Sequence, residues 1–152
     1  IIGLSFGALT VLIADLPGIK AIIFWAPGFN IMRIFKNGNI DLSKILKNLR
    51  RPPLKLPSSG DTDPIWINYS FIEDILNIDI NTHLRTFATP ALIVQGKADT
   101  TVNPIYTREA FGYFPQDEHH KMIEIDKAGH DFKDDHLIEF INVTIDWLKK
   151  YL

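Results

Sequence analysis

Apolar residues fall into short unbroken runs at both ends of the chain, separated by stretches with helical spacing, and the middle third is richer in Pro, Asn and Asp. Residues 1–3 read as the end of a buried strand that turns at Leu4-Ser5 into an almost wholly apolar stretch over 6–16. A helix apolar on every side belongs inside a layered protein, and Pro17-Gly18 supplies its stop. Residues 20–26, with Ile22, Ile23, Phe24 and Trp25, have the character of a parallel strand covered on both faces, ended by Pro27-Gly28.

From about 29 to 89 the spacing predicts two amphipathic helices. The first sets Leu42, Ile45, Leu46 and Leu49 against Lys44, Lys47 and Arg51 and stops before Pro52-Pro53. The second opens with Asp63 as N-cap and Pro64 at the first helical position, and carries Ile65, Tyr69, Ile72 and Leu76 on one face. A loop over 56–62 lies between them, and a shorter helix over 81–87 leads back to strand character at 91–95. A helix then runs from Asn103-Pro104 to 114, and 121–126 is an alternating strand suited to a sheet edge. The last helix places Leu137, Phe140, Ile141, Thr144, Ile145 and Leu148 on one face, with Lys149 and Lys150 at the end where the helix dipole favours cations. Strands alternating with helices predict an α/β fold with a mostly parallel sheet, in a single domain carrying a helical insertion at about 29–89.

Composition narrows the function. With 152 residues, 46% hydrophobic and 22% charged, and a net charge of −2, the chain is globular, and no nucleic-acid partner is expected. Lys44, Lys47, Arg50 and Arg51 read as a solvated helix face. The absence of cysteine excludes a disulfide framework, a thiolate zinc site and a cysteine nucleophile, and makes the cytoplasm the default location. No apolar run approaches the roughly 20 residues of a membrane span. The chain begins with Ile1, without a methionine, and reads as the later part of a longer polypeptide.

Gly3-Leu4-Ser5-Phe6-Gly7 fits G-x-S-x-G, the nucleophile elbow. The tight turn pushes the serine backbone towards strained dihedrals and exposes its hydroxyl above a sheet, so small neighbours are needed. At this composition the pattern is expected about 0.02 times by chance, and it falls where it should, between a strand end and a buried helix. The plainer alternative makes Ser5 an N-cap. A serine hydroxyl needs a base, and of five histidines only His130 follows a strand directly in a Gly-flanked loop. Adjacent His119 and His120 read as a solvated pair, and Asp131, Asp134 and Asp135 beside His136 as charge at a helix N-terminus; no metal is expected. Asp99, four residues beyond Gln95, is placed to orient the imidazole, although an Asx turn or helix cap is its other reading. Ser5, Asp99 and His130 stand in the order Ser…Asp…His, each after a separate strand.

GLSFG at 3–7, LIVQGKADTTVNP at 92–104 and KAGHDF at 127–132 together resemble the α/β-hydrolases, and the resemblance covers nearly the whole chain from the elbow onward. The insertion and the FIEDI…DI pattern at 71–80 look most similar to small esterases of the feruloyl-esterase and acyltransferase-like branch. The resemblance implies a partial α/β-hydrolase fold and a serine hydrolase cleaving a small carboxylic ester without a cofactor. Ser5 would be the nucleophile, His130 the base and Asp99 its orienting carboxylate. The Phe6 N–H would be one oxyanion donor, and Phe29, Trp66 and Tyr69 a substrate pocket, although helix packing also explains these aromatics.

The family's second oxyanion donor comes from a loop after an early strand, and no residue here matches it; losing one such donor costs on the order of 100- to 1,000-fold in rate. The natural protein is therefore expected to have upstream sequence forming the rest of the sheet. A serine peptidase or aminopeptidase uses the same triad, and a non-catalytic binding or assembly module on this scaffold is a further alternative; both stay open on sequence alone.

Overall fold

Most of the unbroken apolar runs become strands. In chain order the elements are β1 (Ile2–Leu4), α1 (Phe6–Ile13), β2 (Ile22–Trp25), β3 (Leu54–Leu56), β4 (Ile65–Ile67), α2 (Tyr69–Asn77), α3 (Ile80–Arg85), β5 (Ala91–Gly96), α4 (Pro104–Phe111), β6 (His120–Ile125) and α5 (Asp135–Tyr151). The computed structural model describes residues 1–14, 16–33, 54–56 and 65–152. The chain divides into two units, Ile1–Ile34 with Ile80–Leu152, and Phe35–Asp79.

The first unit is built on a four-stranded sheet in the order β1-β2-β5-β6, with every pair parallel. Parallel strands need both faces covered, and β2 is apolar throughout while β5 is apolar over 91–94 before the buried Gln95. Ile23, Leu92, Val94 and Ile125 pack on one face with Phe140 and Trp147 of α5. On the other face Phe24 packs against Phe29, Phe87 and Phe114, with ring centroids 5.0, 5.5 and 6.2 Å away. Phe24, Phe29 and Phe114, which are fully buried, contribute about 1.5–3 kcal/mol each. The alternating strand predicted at 121–126 is β6, at the sheet edge. At the other edge, β1 leaves Ile2 and Leu4 exposed.

Helix α1 buries Ala8, Leu9 and Leu12 but leaves Phe6 exposed, so it is covered on one side and not all round. It also ends at Ile13, short of the predicted 16. On α5 the buried residues are Phe140, Thr144 and Trp147, whereas Leu137, Ile141 and Ile145 from the predicted face are exposed. Both stripes satisfy a 3.6-residue period; the one carrying the larger aromatic rings meets the sheet.

In the second unit β3 and β4 form an antiparallel pair. The helix predicted from Asp63-Pro64 does not begin there: Ile65-Trp66-Ile67 is a strand, in keeping with the preference of β-branched and aromatic residues for pleated structure, and the helix starts at Tyr69. The insertion is therefore not wholly helical. The predicted helix at 42–49, with Lys44, Lys47, Arg50 and Arg51, lies outside the described residues. Among the described residues, no helix is long and apolar enough to cross a membrane.

Candidate active site

Because the four strands are parallel, their C-terminal ends lie at one end of the sheet, and the loops leaving β1, β2, β5 and β6 all emerge there. Ser5 follows β1, Asp99 follows β5 and His130 follows β6.

Ser5 has φ 52° and ψ −119°, a conformation that costs a non-glycine residue energy and persists only where the surroundings over-determine it. Three hydrogen bonds do so. Its N–H donates to the Trp25 carbonyl at 2.9 Å, and its carbonyl accepts from the N–H groups of Gly28 at 2.9 Å and Ala8 at 3.1 Å. Gly3 is required by close approach, since a Cβ there would lie 2.8 Å from the Ala8 Cα, and a Cβ at Gly28 would lie 3.3 Å from the Ser5 carbonyl. At Gly7 a Cβ would meet nothing within 4 Å, so the room expected of that glycine is not demanded by its neighbours. Ser5 occupies the N-cap position of α1, but its side chain makes no capping hydrogen bond there.

Asp99 is 4% exposed and has every acceptor position engaged. Oδ1 accepts from the N–H groups of Thr101 and Val102 at 2.8 and 2.9 Å, and Oδ2 accepts from Gln95 Nε2 at 3.0 Å. The remaining partner of Oδ2 is His130 Nδ1, at 2.8 Å. Helix α4 is instead capped by Asn103, whose Oδ1 accepts the Ile105 N–H, so Asp99 is not spent as a helix cap. Burial pushes the Asp99 carboxyl upward, but the hydrogen bonds from His130, Val102 and Gln95 outweigh it and hold the group below its ordinary value. An ionised carboxylate only accepts, so the contact fixes the histidine proton on Nδ1 and leaves Nε2 as an acceptor. The hydrogen bond that His130 donates to Asp99 raises the His130 pKa above 6.5, against the opposing effect of burial, with the charges of Asp99 and Asp131 adding to the rise.

Two neighbours of this pair escape a reading by motif. Gln95 is fully buried, and its Oε1 accepts the Thr107 hydroxyl at 2.7 Å while its amide steadies Asp99. A lone amide at the end of the run Ala91-Leu92-Ile93-Val94 was its visible signal, because a buried amide must find partners. Gly96 lets the β5 end and the His130 loop meet: a Cβ there would collide with the Ala128 carbonyl and lie 2.7 Å from that of Gly129. The Ala98 N–H donates to the Ala128 carbonyl at 2.9 Å across the same junction.

The other predicted residues are placed as follows. Phe6 is the first residue of α1, directly after Ser5. Phe29 is 2% exposed, with its ring 5.0 Å from that of Phe24 and 6.1 Å from that of Phe114, which puts it in the core rather than at a substrate surface. Trp66 lies on β4 and is 59% exposed, and Tyr69 opens α2, its side chain outside the described residues. His119 and His120 are not both solvated: His120 is buried beside Phe87 and Phe114, with Nδ1 2.8 Å from Asp117, because successive side chains of a strand point to opposite faces. Among the described residues no group of three His, Asp or Glu side chains is gathered to hold a metal.

No family model and no curated protein matches the sequence. Solved structures do. The esterase domain of a Rhodothermus marinus protein superposes with a TM-score of 0.71 at 20% identity, over 99% of this chain and 60% of that one. Est1E from Butyrivibrio proteoclasticus superposes at 0.72 and 20% identity, over 97% and 59%. The α/β hydrolase GrgF from Penicillium sp. sh18 does so at 0.66 and 18% identity, over 99% and 62%. Likeness at this identity concerns the fold: the chain has a partial α/β-hydrolase fold and spans about 60% of the length of these structures.

Proposed function

We propose that this chain carries the catalytic side chains of a serine hydrolase that cleaves carboxylic esters. The observation that carries the reading is the Asp99–His130 pair, at 2.8 Å, on loops that leave the same C-terminal end of the sheet as a serine held in a strained elbow. In this mechanism Ser5 attacks the ester carbonyl while His130 Nε2 takes the hydroxyl proton. Asp99 keeps the imidazole in the required tautomer and stabilises the imidazolium that forms. The Phe6 N–H donates to the oxyanion, and His130 then returns the proton to the departing alcohol. Water, activated by the same histidine, releases the acyl group.

The elbow lies on the edge strand β1, and in this reading the rest of the sheet and the second oxyanion donor come from further sequence pairing at that edge. The similar structure Est1E has been solved with ferulic acid bound, which favours an aryl ester among substrates to try. The test is hydrolysis of p-nitrophenyl and feruloyl esters, beside peptide anilides, by the full-length protein and by its Ser5→Ala variant. Ester turnover lost in Ser5→Ala supports the reading; turnover of anilides alone, or turnover untouched by the substitution, rejects it.

A further inference from the structure

Trp25 reaches both sides of the proposed site with two different parts of itself. Its carbonyl oxygen accepts the Ser5 N–H at 2.9 Å, in a strand register that sets Leu4 beside Trp25. Its indole ring lies on the α5 side of the sheet, 4.3 Å from the Phe140 centroid at an interplanar angle of 31°, and 5.6 Å from Phe132. Phe132 is 1% exposed, stacks on Phe140 at 14°, and has φ 41° only two residues beyond His130.

The sheet order gives this arrangement its importance. The His130 loop leaves β6, while Ser5 leaves β1, and two strands lie between them. The Asp99 contact aims the imidazole but leaves open how far the loop as a whole sits from the elbow. A positive φ at a phenylalanine is strained and holds only where packing fixes it, and the Trp25 and Phe140 rings are what Phe132 packs on. We infer that Trp25 is a positioning residue that ties the Ser5 elbow to the His130 loop, through its carbonyl on one side and its ring against Phe132 on the other. The inference rests on the serine hydrolase reading for its catalytic meaning. The indole Nε1–H is buried without a hydrogen-bond partner, so the ring serves through its shape and area, and phenylalanine can stand in for it.

The test uses the full-length protein and two readouts: the rate at which a p-nitrophenyl alkylphosphonate modifies Ser5, and the NMR titration midpoint of His130. Trp25→Leu is expected to slow modification about tenfold or more, since small misplacements of reacting groups cost rate steeply. It is also expected to lower the His130 midpoint, because the Asp99 hydrogen bond that raises it loosens. Trp25→Phe restores both. Phe114→Leu, which deletes a buried ring on the opposite face of the sheet, is expected to lower thermal stability and leave both readouts in place. Wild-type readouts in folded Trp25→Leu overturn the inference, as does a Phe114→Leu protein that moves them equally. If Trp25→Leu does not fold, Phe132→Leu carries the same test with the same opposing outcomes. Should wild-type Ser5 resist the phosphonate, the hydrolase reading fails, while the His130 midpoint still decides whether Trp25 places the loop.

Discussion

His130 Nδ1 lies 2.8 Å from Asp99 Oδ2, and that oxygen is shared with the buried Gln95 amide. The carboxylate thus faces the imidazole on one side and a fixed donor on the other, with two backbone N–H groups holding its second oxygen. An acid held this way cannot swing, so the imidazole it holds has one orientation.

Replacing the acid tests that orientation. Asp99→Asn keeps the volume but gives the side chain donors as well as an acceptor, so the histidine proton can settle on the nitrogen that should face Ser5. Activity is expected to fall on the order of 1,000- to 10,000-fold with the fold retained, measured as kcat/KM beside a far-ultraviolet spectrum.

The raised pKa of His130 sets opposite trends for activity and stability. Only the neutral imidazole can take a proton, so the acid limb of kcat/KM is expected to have its midpoint above the ordinary 6.5. Stability from the charged pair is fully present below 6.5 and is lost as pH rises through the raised His130 value. At the acid end, the contribution of Asp99 is present above 3.8 and lost as pH falls through its lowered value. A pH series of denaturant midpoints, run beside the rate profile, measures both limbs.

Gln95 and Thr107 form a buried couple, and breaking one half strands the other. Gln95→Leu is expected to cost about 1–3 kcal/mol by leaving the Thr107 hydroxyl and one face of Asp99 short of a partner. Adding Thr107→Val should cost less than the sum of the single changes, which a double-mutant cycle of urea unfolding measures.

Gly96→Ala tests the approach of two loops. The added methyl has no room against the Ala128 and Gly129 carbonyls, so the chain just before His130 must shift. We expect about 1–3 kcal/mol of destabilisation by urea unfolding and a fall in kcat/KM of about tenfold or more.

Much of this was legible in the residue pattern, for identifiable reasons. The continuous apolar runs over 22–25 and 91–94 announce strands covered on both faces, and parallel pairing then puts the loops carrying Ser5, Asp99 and His130 at the C-terminal end of the sheet. The elbow was legible because its glycine pattern answers a steric demand, which at Gly3 is a contact with Ala8. Three features were not. Ile65-Trp66-Ile67 fits both a helix start and a strand, and its pairing with Leu54–Leu56 depends on residues distant in sequence. The face of α5 could not be settled by period alone, since two apolar stripes share it. The support for Asp99 from Gln95, and for Phe132 from Trp25, arises only when β2, β5 and α5 come together. Phe29 shows the reverse: an aromatic that suits a pocket by type is taken by the core.

Whether Ser5 is a nucleophile activated by its neighbours is decided by treating the full-length protein with a p-nitrophenyl alkylphosphonate and measuring the mass of the peptide containing residues 3–7. A single phosphonyl adduct on Ser5, absent in Ser5→Ala and slowed in Asp99→Asn, is the predicted result. An unmodified Ser5 in the folded wild-type protein, or an adduct that forms equally fast without Asp99, contradicts it.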